Sequence, residues 1–205
     1  MIIEFLGVSG VGKTTVAEKY RQDLEDHGNK VVWDTRDLYR KHNWLSRNLR
    51  KMVFVFSYGI RNRKWCRSFR KYLAMEIENW KDEFRPYFNG IFLKYRLAKD
   101  RSGESVRVFD EGAIQFLWAI KLRSGKAVTE EDVTQLFRFF EVPDELIVVE
   151  AETQKIIQRL EKRGEYVRIM DNGDLADSIE KMRAVQEAII GFLPSGIQVK
   201  RIRND

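Results

Sequence analysis

Gly7-Val8-Ser9-Gly10-Val11-Gly12-Lys13-Thr14 fits the spacing G-x-x-x-x-G-K-[ST] at every fixed position. The apolar run Met1 to Leu6 precedes it, and a helical pattern starts at about Lys13. The chemistry of that spacing is anion binding. Gly7, Gly10 and Gly12 let the backbone turn tightly, so N–H groups, those of Ser9 and Val11 included, converge on one phosphate. The positive end of the following helix adds to the field. Lys13 is predicted to reach the β- and γ-phosphates of a nucleoside triphosphate. Thr14 is predicted to hold Mg²⁺ through its hydroxyl, and Thr15 to support an α-phosphate contact.

Further charged side chains fall at strand ends. Val106-Arg107-Val108-Phe109 reads as a strand closed by Asp110-Glu111-Gly112. An acid there can hold Mg²⁺ directly or through water; Asp110 as a simple cap of the next helix is the alternative. Asp34 and Asp37 follow a second short strand and are candidates to take a proton from an acceptor hydroxyl, or else turn residues. Arg159, Arg163 and Arg168 lie after the fourth strand, beside Gly164 and Gly173. Arginines on a lid clamp a transferring phosphoryl group.

The elements that must position these residues alternate. Strands are predicted over 1–6, 30–34, 106–109, 145–150 and 197–202. Helices are predicted over 13–27, 44–60, 91–98, 113–123, 130–140, 153–163 and 175–190. Trp65, Phe69, Leu73, Ile77, Trp80 and Phe84 recur at spacings of three and four, the core face of one long helix ended by Pro86. Thr129 and Asp132 form a capping-box pair, and Asp174 caps the last helix. Strands alternating with helices imply a parallel sheet covered on both faces.

Composition sets bounds. The 205 residues suit one α/β domain spanning 1–205. A single cysteine, Cys66, allows no internal disulfide and fits a reducing, cytoplasmic setting. The first strand begins at once, which predicts no signal peptide. The longest apolar run, Met52 to Ile60, is too short for a transmembrane segment. His27 and His42 lie far apart with no cysteine near, which argues against zinc. The net charge of +6 hides an asymmetry: Leu38 to Arg101 holds 17 Lys/Arg and 5 Asp/Glu, so 17 − 5 = +12, and the rest carries +6 − 12 = −6. An anionic partner suits that block, and a set of solvated helix faces is the plain alternative.

At this point the chain resembles the P-loop nucleoside and nucleotide kinases, thymidylate kinases most. Ile2 to Ala17 is similar to that family's first strand, loop and helix. Arg163-Gly164-Glu165-Tyr166-Val167-Arg168-Ile169 is similar to its lid, and Val32 to Arg36 is more weakly similar to its second strand. Met182 to Ile190 resembles its last helix. The resemblance implies a three-layer P-loop kinase fold with a five-stranded parallel sheet of order 2-3-1-4-5, Mg-ATP as donor, and Arg163 and Arg168 as lid residues within 163–174. The basic helical insertion 38–101 departs from the family pattern. So does Asp110-Glu111-Gly112, where an Asp-Arg-Tyr type segment is expected. Thymidylate is therefore not carried over as acceptor.

The function expected is transfer of the ATP γ-phosphate to a small or medium anionic acceptor: a nucleotide, a sugar phosphate, a nucleic-acid end or a lipid-linked glycan. Lys13 and the lid arginines stabilise the moving group, and Asp34 or Asp37 orients the acceptor hydroxyl. One alternative is an ATPase in which Glu111 activates water. Another is a nucleotide-regulated protein that binds nucleic acid or a membrane surface. The oligomeric state stays open, a homodimer included.

Overall fold

The computed structural model describes residues 1–33, 44–99, 105–162 and 174–205, without the side chains at 44–48, 50, 80 and 99. The described elements run β1 (Ile2–Leu6), α1 (Lys13–Asp26), β2 (Val31–Val32), α2 (Trp44–Arg61), α3 (Arg63–Glu76), α4 (Trp80–Lys99), β3 (Val106–Phe109), α5 (Ala113–Ser124), α6 (Glu130–Phe139), β4 (Glu145–Glu150), α7 (Thr153–Lys162), α8 (Leu175–Gly191) and β5 (Gln198–Arg203).

β1 is buried along its whole length, so protein must cover both of its faces. Alternation along the strand decides what meets what. Phe5 points to α1 and meets Tyr20 edge-on at 5.8 Å. Glu4 points to the opposite side and meets the start of α5. The sheet is parallel, in the expected order β2-β3-β1-β4-β5. Ile3 pairs with Val108 on one side, and Phe5 with Ile147 on the other. The apolar run of β4 is fully buried beside it, whereas β5 forms an exposed edge. The C-terminal ends of β1 and β3 therefore adjoin, and the loops after them open on one side of the sheet.

The predicted long helix under the aromatic stripe is two helices. α3 stops before Ile77, which is extended at φ −120° and ψ 113°. Asn79 then caps α4: its side chain accepts from the Lys81 N–H at 3.0 Å. The stripe stays in phase across the break, so periodicity alone does not reveal it. Pro86 lies inside α4 rather than ending it, and 91–98 is part of that same helix. Proline lacks the N–H that would bond Asp82; the Asp82 carbonyl accepts from Arg123 Nη1 at 3.4 Å instead.

The stripe is core over most of its length. Phe69 is fully buried among Trp65, Tyr87, Phe116 and Phe140. Phe84 is exposed. The basic block is thus a three-helix layer joined to the sheet domain through Phe69 and Leu73. A second tie is polar: Lys121 of α5 is buried against Glu76 of α3 at 2.8 Å and Asp132 of α6 at 2.7 Å. Asp132 also completes the predicted capping box with Thr129. Burial pushes the Asp132 carboxyl up, but the Lys121 ammonium and the Thr129 hydroxyl and N–H outweigh it and hold the carboxyl below its usual range.

Candidate active site

The phosphate loop leaves β1 and enters α1 through two left-handed glycines, Gly10 at φ 82° and Gly12 at φ 94°. A side chain at Gly10 would run into Leu160 and one at Gly12 into the Asn204 amide, so both space and dihedral demand glycine. The loop is braced from behind. Arg159 Nη1 and Asn204 Nδ2 both donate to the Val11 carbonyl at 2.9 Å, and Arg159 Nη2 donates to the Asn204 carbonyl at 2.9 Å. Arg159 belongs to helix α7, inside the helix predicted over 153–163. Its two amino groups hold backbone and set positive charge beside Gly12.

Lys13 Nζ donates to the Gly7 carbonyl at 2.5 Å and reaches the Val8 carbonyl at 3.5 Å. The ammonium therefore lies back over the loop, on the anion's side. Ser9, Lys13, Thr14, Thr15, Asp110 and Glu111 line one cleft of about 170 Å³. The expected residues of loop, helix and third strand thus share a cavity. The Thr14 hydroxyl and the Asp110 carboxylate both line it and are hard oxygen donors of the kind a magnesium ion takes. Trp33 is buried, and its ring N–H points to Asp110 Oδ1 at 3.5 Å. Trp65 is half-buried and stacks on Phe69 at 4.8 Å, so core packing occupies both tryptophan rings.

A second cleft of about 390 Å³ opens from the same point. It shares Ser9, Lys13 and Glu111 with the first, and its walls include Arg85, Phe92, Arg96 and Gln115. Most of that wall comes from α4 and α5. Arg96 is buried, with its guanidinium over the Phe109 ring at 4.7 Å. Lys51 of α2 also reaches this cleft and lies 5.1 Å above the Phe92 ring.

One residue under the site belongs to no sequence motif. Glu4 is the lone acid in a strand read as apolar, and it is 2% exposed. Its Oε1 accepts from the Gln115 N–H at 2.8 Å, with the Ala113 and Ile114 N–H groups alongside. The N-cap position of α5 is Gly112, which has no side chain to offer, so Glu4 caps that helix from another strand. A Cβ at Gly112 would collide with the Glu4 carboxyl. Gln115 in turn accepts from the Gly7 N–H at 3.4 Å through Oε1. β1, the phosphate loop and the second cleft are thereby joined. An acid flanked by Ile3 and Phe5 in a doubly covered strand was the available signal, because such a group must find donors.

Burial raises the Glu4 carboxyl to about 7, despite the three N–H donors and the Arg96 charge that oppose the shift. A carboxyl raised in the folded state contributes stability that is complete below the unfolded value of 4.5 and is lost as pH climbs through 7. Between those limits the wild type is expected to lose about 3 kcal/mol through this group. Glu4→Gln keeps an acceptor for the helix N–H groups and cannot ionise. Its urea midpoint should vary less across that window than the wild type's; parallel pH profiles would show that Glu4 does not titrate there.

The fold has solved counterparts. Deoxyadenosine kinase from M. mycoides, with products dCMP and a flexible dCDP bound, matches with a TM-score of 0.50 and 14% identity, over 98% of this chain and 90% of that chain. A structure of deoxyadenosine kinase from M. mycoides with bound dCTP matches with a TM-score of 0.50 and 15% identity, over 99% of this chain and 90% of that one. The chain thus shares the five-stranded parallel-sheet fold of these structures. No family model matches the sequence, and no curated protein does.

Asp34, Asp37, Arg163 and Arg168, with the rest of the expected lid up to Gly173, lie outside the described residues. Among the described residues no His, Cys, Asp and Glu side chains cluster as a metal site, and no helix is long and apolar enough to cross a membrane.

Proposed function

We propose that the protein is an ATP-dependent phosphotransferase of the nucleoside and nucleotide kinase type. The observation that carries this reading is the pair of clefts meeting at Ser9, Lys13 and Glu111. A nucleotide hydrolase needs one cleft and a water. A second cleft opening where the γ-phosphate would end is what an acceptor needs. The likeness in fold to a kinase whose structures hold dCMP and dCTP supports a nucleoside or nucleotide as that acceptor.

In this reading the loop N–H groups and Lys13 hold the β- and γ-phosphates. Thr15 supports the α-phosphate, and Arg159 adds positive potential at the donor end. Thr14 and Asp110 would hold a magnesium ion, which would supply positive charge against the transferring group. Arg163 and Arg168 close over the phosphates as a lid and exclude water. Asp34 or Asp37 accepts the proton of the acceptor hydroxyl. Arg85 and Arg96 give the second cleft its preference for an anionic acceptor, and Gln115 supplies an amide for a base or sugar edge.

The test is Mg-ATP consumption against a panel of nucleosides, nucleotides, sugar phosphates and oligonucleotide ends, with the product identified by mass spectrometry. Phosphate found on one class names the acceptor. Hydrolysis indifferent to every acceptor would replace this reading with an ATPase that uses Glu111 on water. Arg85 is exposed on the rim of the cleft. Arg85→Ala is expected to raise the acceptor KM by about ten- to a hundredfold, the effect of a charge-assisted hydrogen bond. The ATP KM should stay unchanged. Equal rises in both would place Arg85 outside the acceptor site.

A further inference from the structure

We propose that the outer face of α2 and α3 docks on an anionic membrane surface. This inference stands apart from the proposed phosphotransfer. It rests on two rows of side chains that adjoin at one groove.

Leu49, Met52, Val53, Phe56 and Ile60 recur along α2 at helical spacing, and all are exposed. The opposite side of the helix supplies Val55, which packs on Cys66, Ile91 and Phe92. The helix is therefore apolar on both sides, with only one side covered. Surface Leu, Phe and Ile are ordinary singly; a contiguous row of five marks a face that meets something.

α3 lies alongside. Arg63, Lys64, Arg67, Arg70 and Lys71 are exposed on it. Phe56 and Ile60 line a groove of about 390 Å³ together with Arg63, Arg67 and Arg70. The apolar row and the basic row thus meet the same occupant.

Charge decides what that occupant is. Leu38 to Met75 contains eleven Lys/Arg and no Asp/Glu. A second copy related by a two-fold axis would set this basic face against itself. A nucleic acid would match the cations but give Leu49, Val53 and Ile60 nothing apolar to enter. An anionic bilayer matches both: headgroup phosphates take the arginines, and the headgroup–acyl boundary takes the apolar row. The 18 residues of α2 make a rod of ~27 Å, which would lie in the plane of the interface.

Co-sedimentation with large unilamellar vesicles tests this without turnover, so its outcome is independent of any kinase activity. The vesicles are phosphatidylcholine alone or phosphatidylcholine with one-third phosphatidylglycerol. Binding is expected only to the anionic vesicles, and it should weaken as salt is added. Phe56→Ser with Ile60→Ser should lower the partition coefficient by about tenfold or more through lost apolar burial. Arg63→Ser with Arg67→Ser should lower it by about fivefold per cation. Both pairs are surface changes, and retained ATP binding reports that they fold. No binding to anionic vesicles at low ionic strength would overturn the proposal, as would equal binding to both vesicle types or indifference to Phe56→Ser with Ile60→Ser. A dimer in light scattering that this pair abolishes would assign the face to a second copy. Duplex DNA binding that follows the arginines and ignores Phe56 and Ile60 would assign it to nucleic acid.

Discussion

Lys13→Ala is expected to lower kcat/KM for phosphoryl transfer by about a thousandfold, or ~4 kcal/mol of transition-state stabilisation. Charge grows on the equatorial oxygens of the transferring group, and a fixed ammonium in a dry cleft is worth far more there than in water. Lys13 is half-buried, donates to the loop carbonyls of Gly7 and Val8 and is not part of the hydrophobic core, so its removal should leave the core intact. The thermal midpoint should therefore stay within a degree or two of wild type, as for surface changes generally. Turnover at the wild-type rate would mean that chemistry takes place elsewhere than at the phosphate loop.

Lys121→Ala should have the largest effect on stability. Its ammonium sits between the carboxylates of half-buried Glu76 and buried Asp132, at 2.8 and 2.7 Å, with 2% of the side chain exposed. Truncation leaves two desolvated acids facing a cavity. Removing one partner of a buried ion pair costs about 3–5 kcal/mol, and the urea midpoint should fall accordingly. Glu76→Gln with Asp132→Asn in the same chain should recover a large part of the loss by removing the stranded charges. A loss under ~1 kcal/mol, the range of a surface pair, would mean that water already solvates the triad. Because α3, α5 and α6 meet at Lys121, the acceptor-side helices should loosen before the sheet domain in hydrogen exchange.

Features set by local chemistry were legible without a structure. The phosphate loop, the capping box at Thr129 and Asp132 and the cap at Asp174 all appear where they were expected. Each depends on residues within a few positions of one another, so spacing carries the information. β1, β3 and β4 were legible because a strand covered on both faces is a short apolar run. The helices α3 and α4 were not, because the apolar spacing runs through Ile77 unbroken while the backbone there extends. Pro86 misled for a related reason: an arginine from another helix, Arg123, serves the carbonyl that proline leaves unbonded.

By itself, the sequence determined that a glycine-rich loop with phosphate-loop spacing spans Gly7–Thr15 within an α/β sheet, and that 38–101 carries the positive charge. Only the tertiary structure decided how those parts work together. Glu4 caps α5 across 111 positions, Gln115 reaches back to Gly7 across 108, and Arg159 braces Val11 across 148. Such contacts have no period to read. Whether a buried acid is a fault or a cap depends on which N–H groups the fold brings to it, and that is settled by packing of the chain and not by its order.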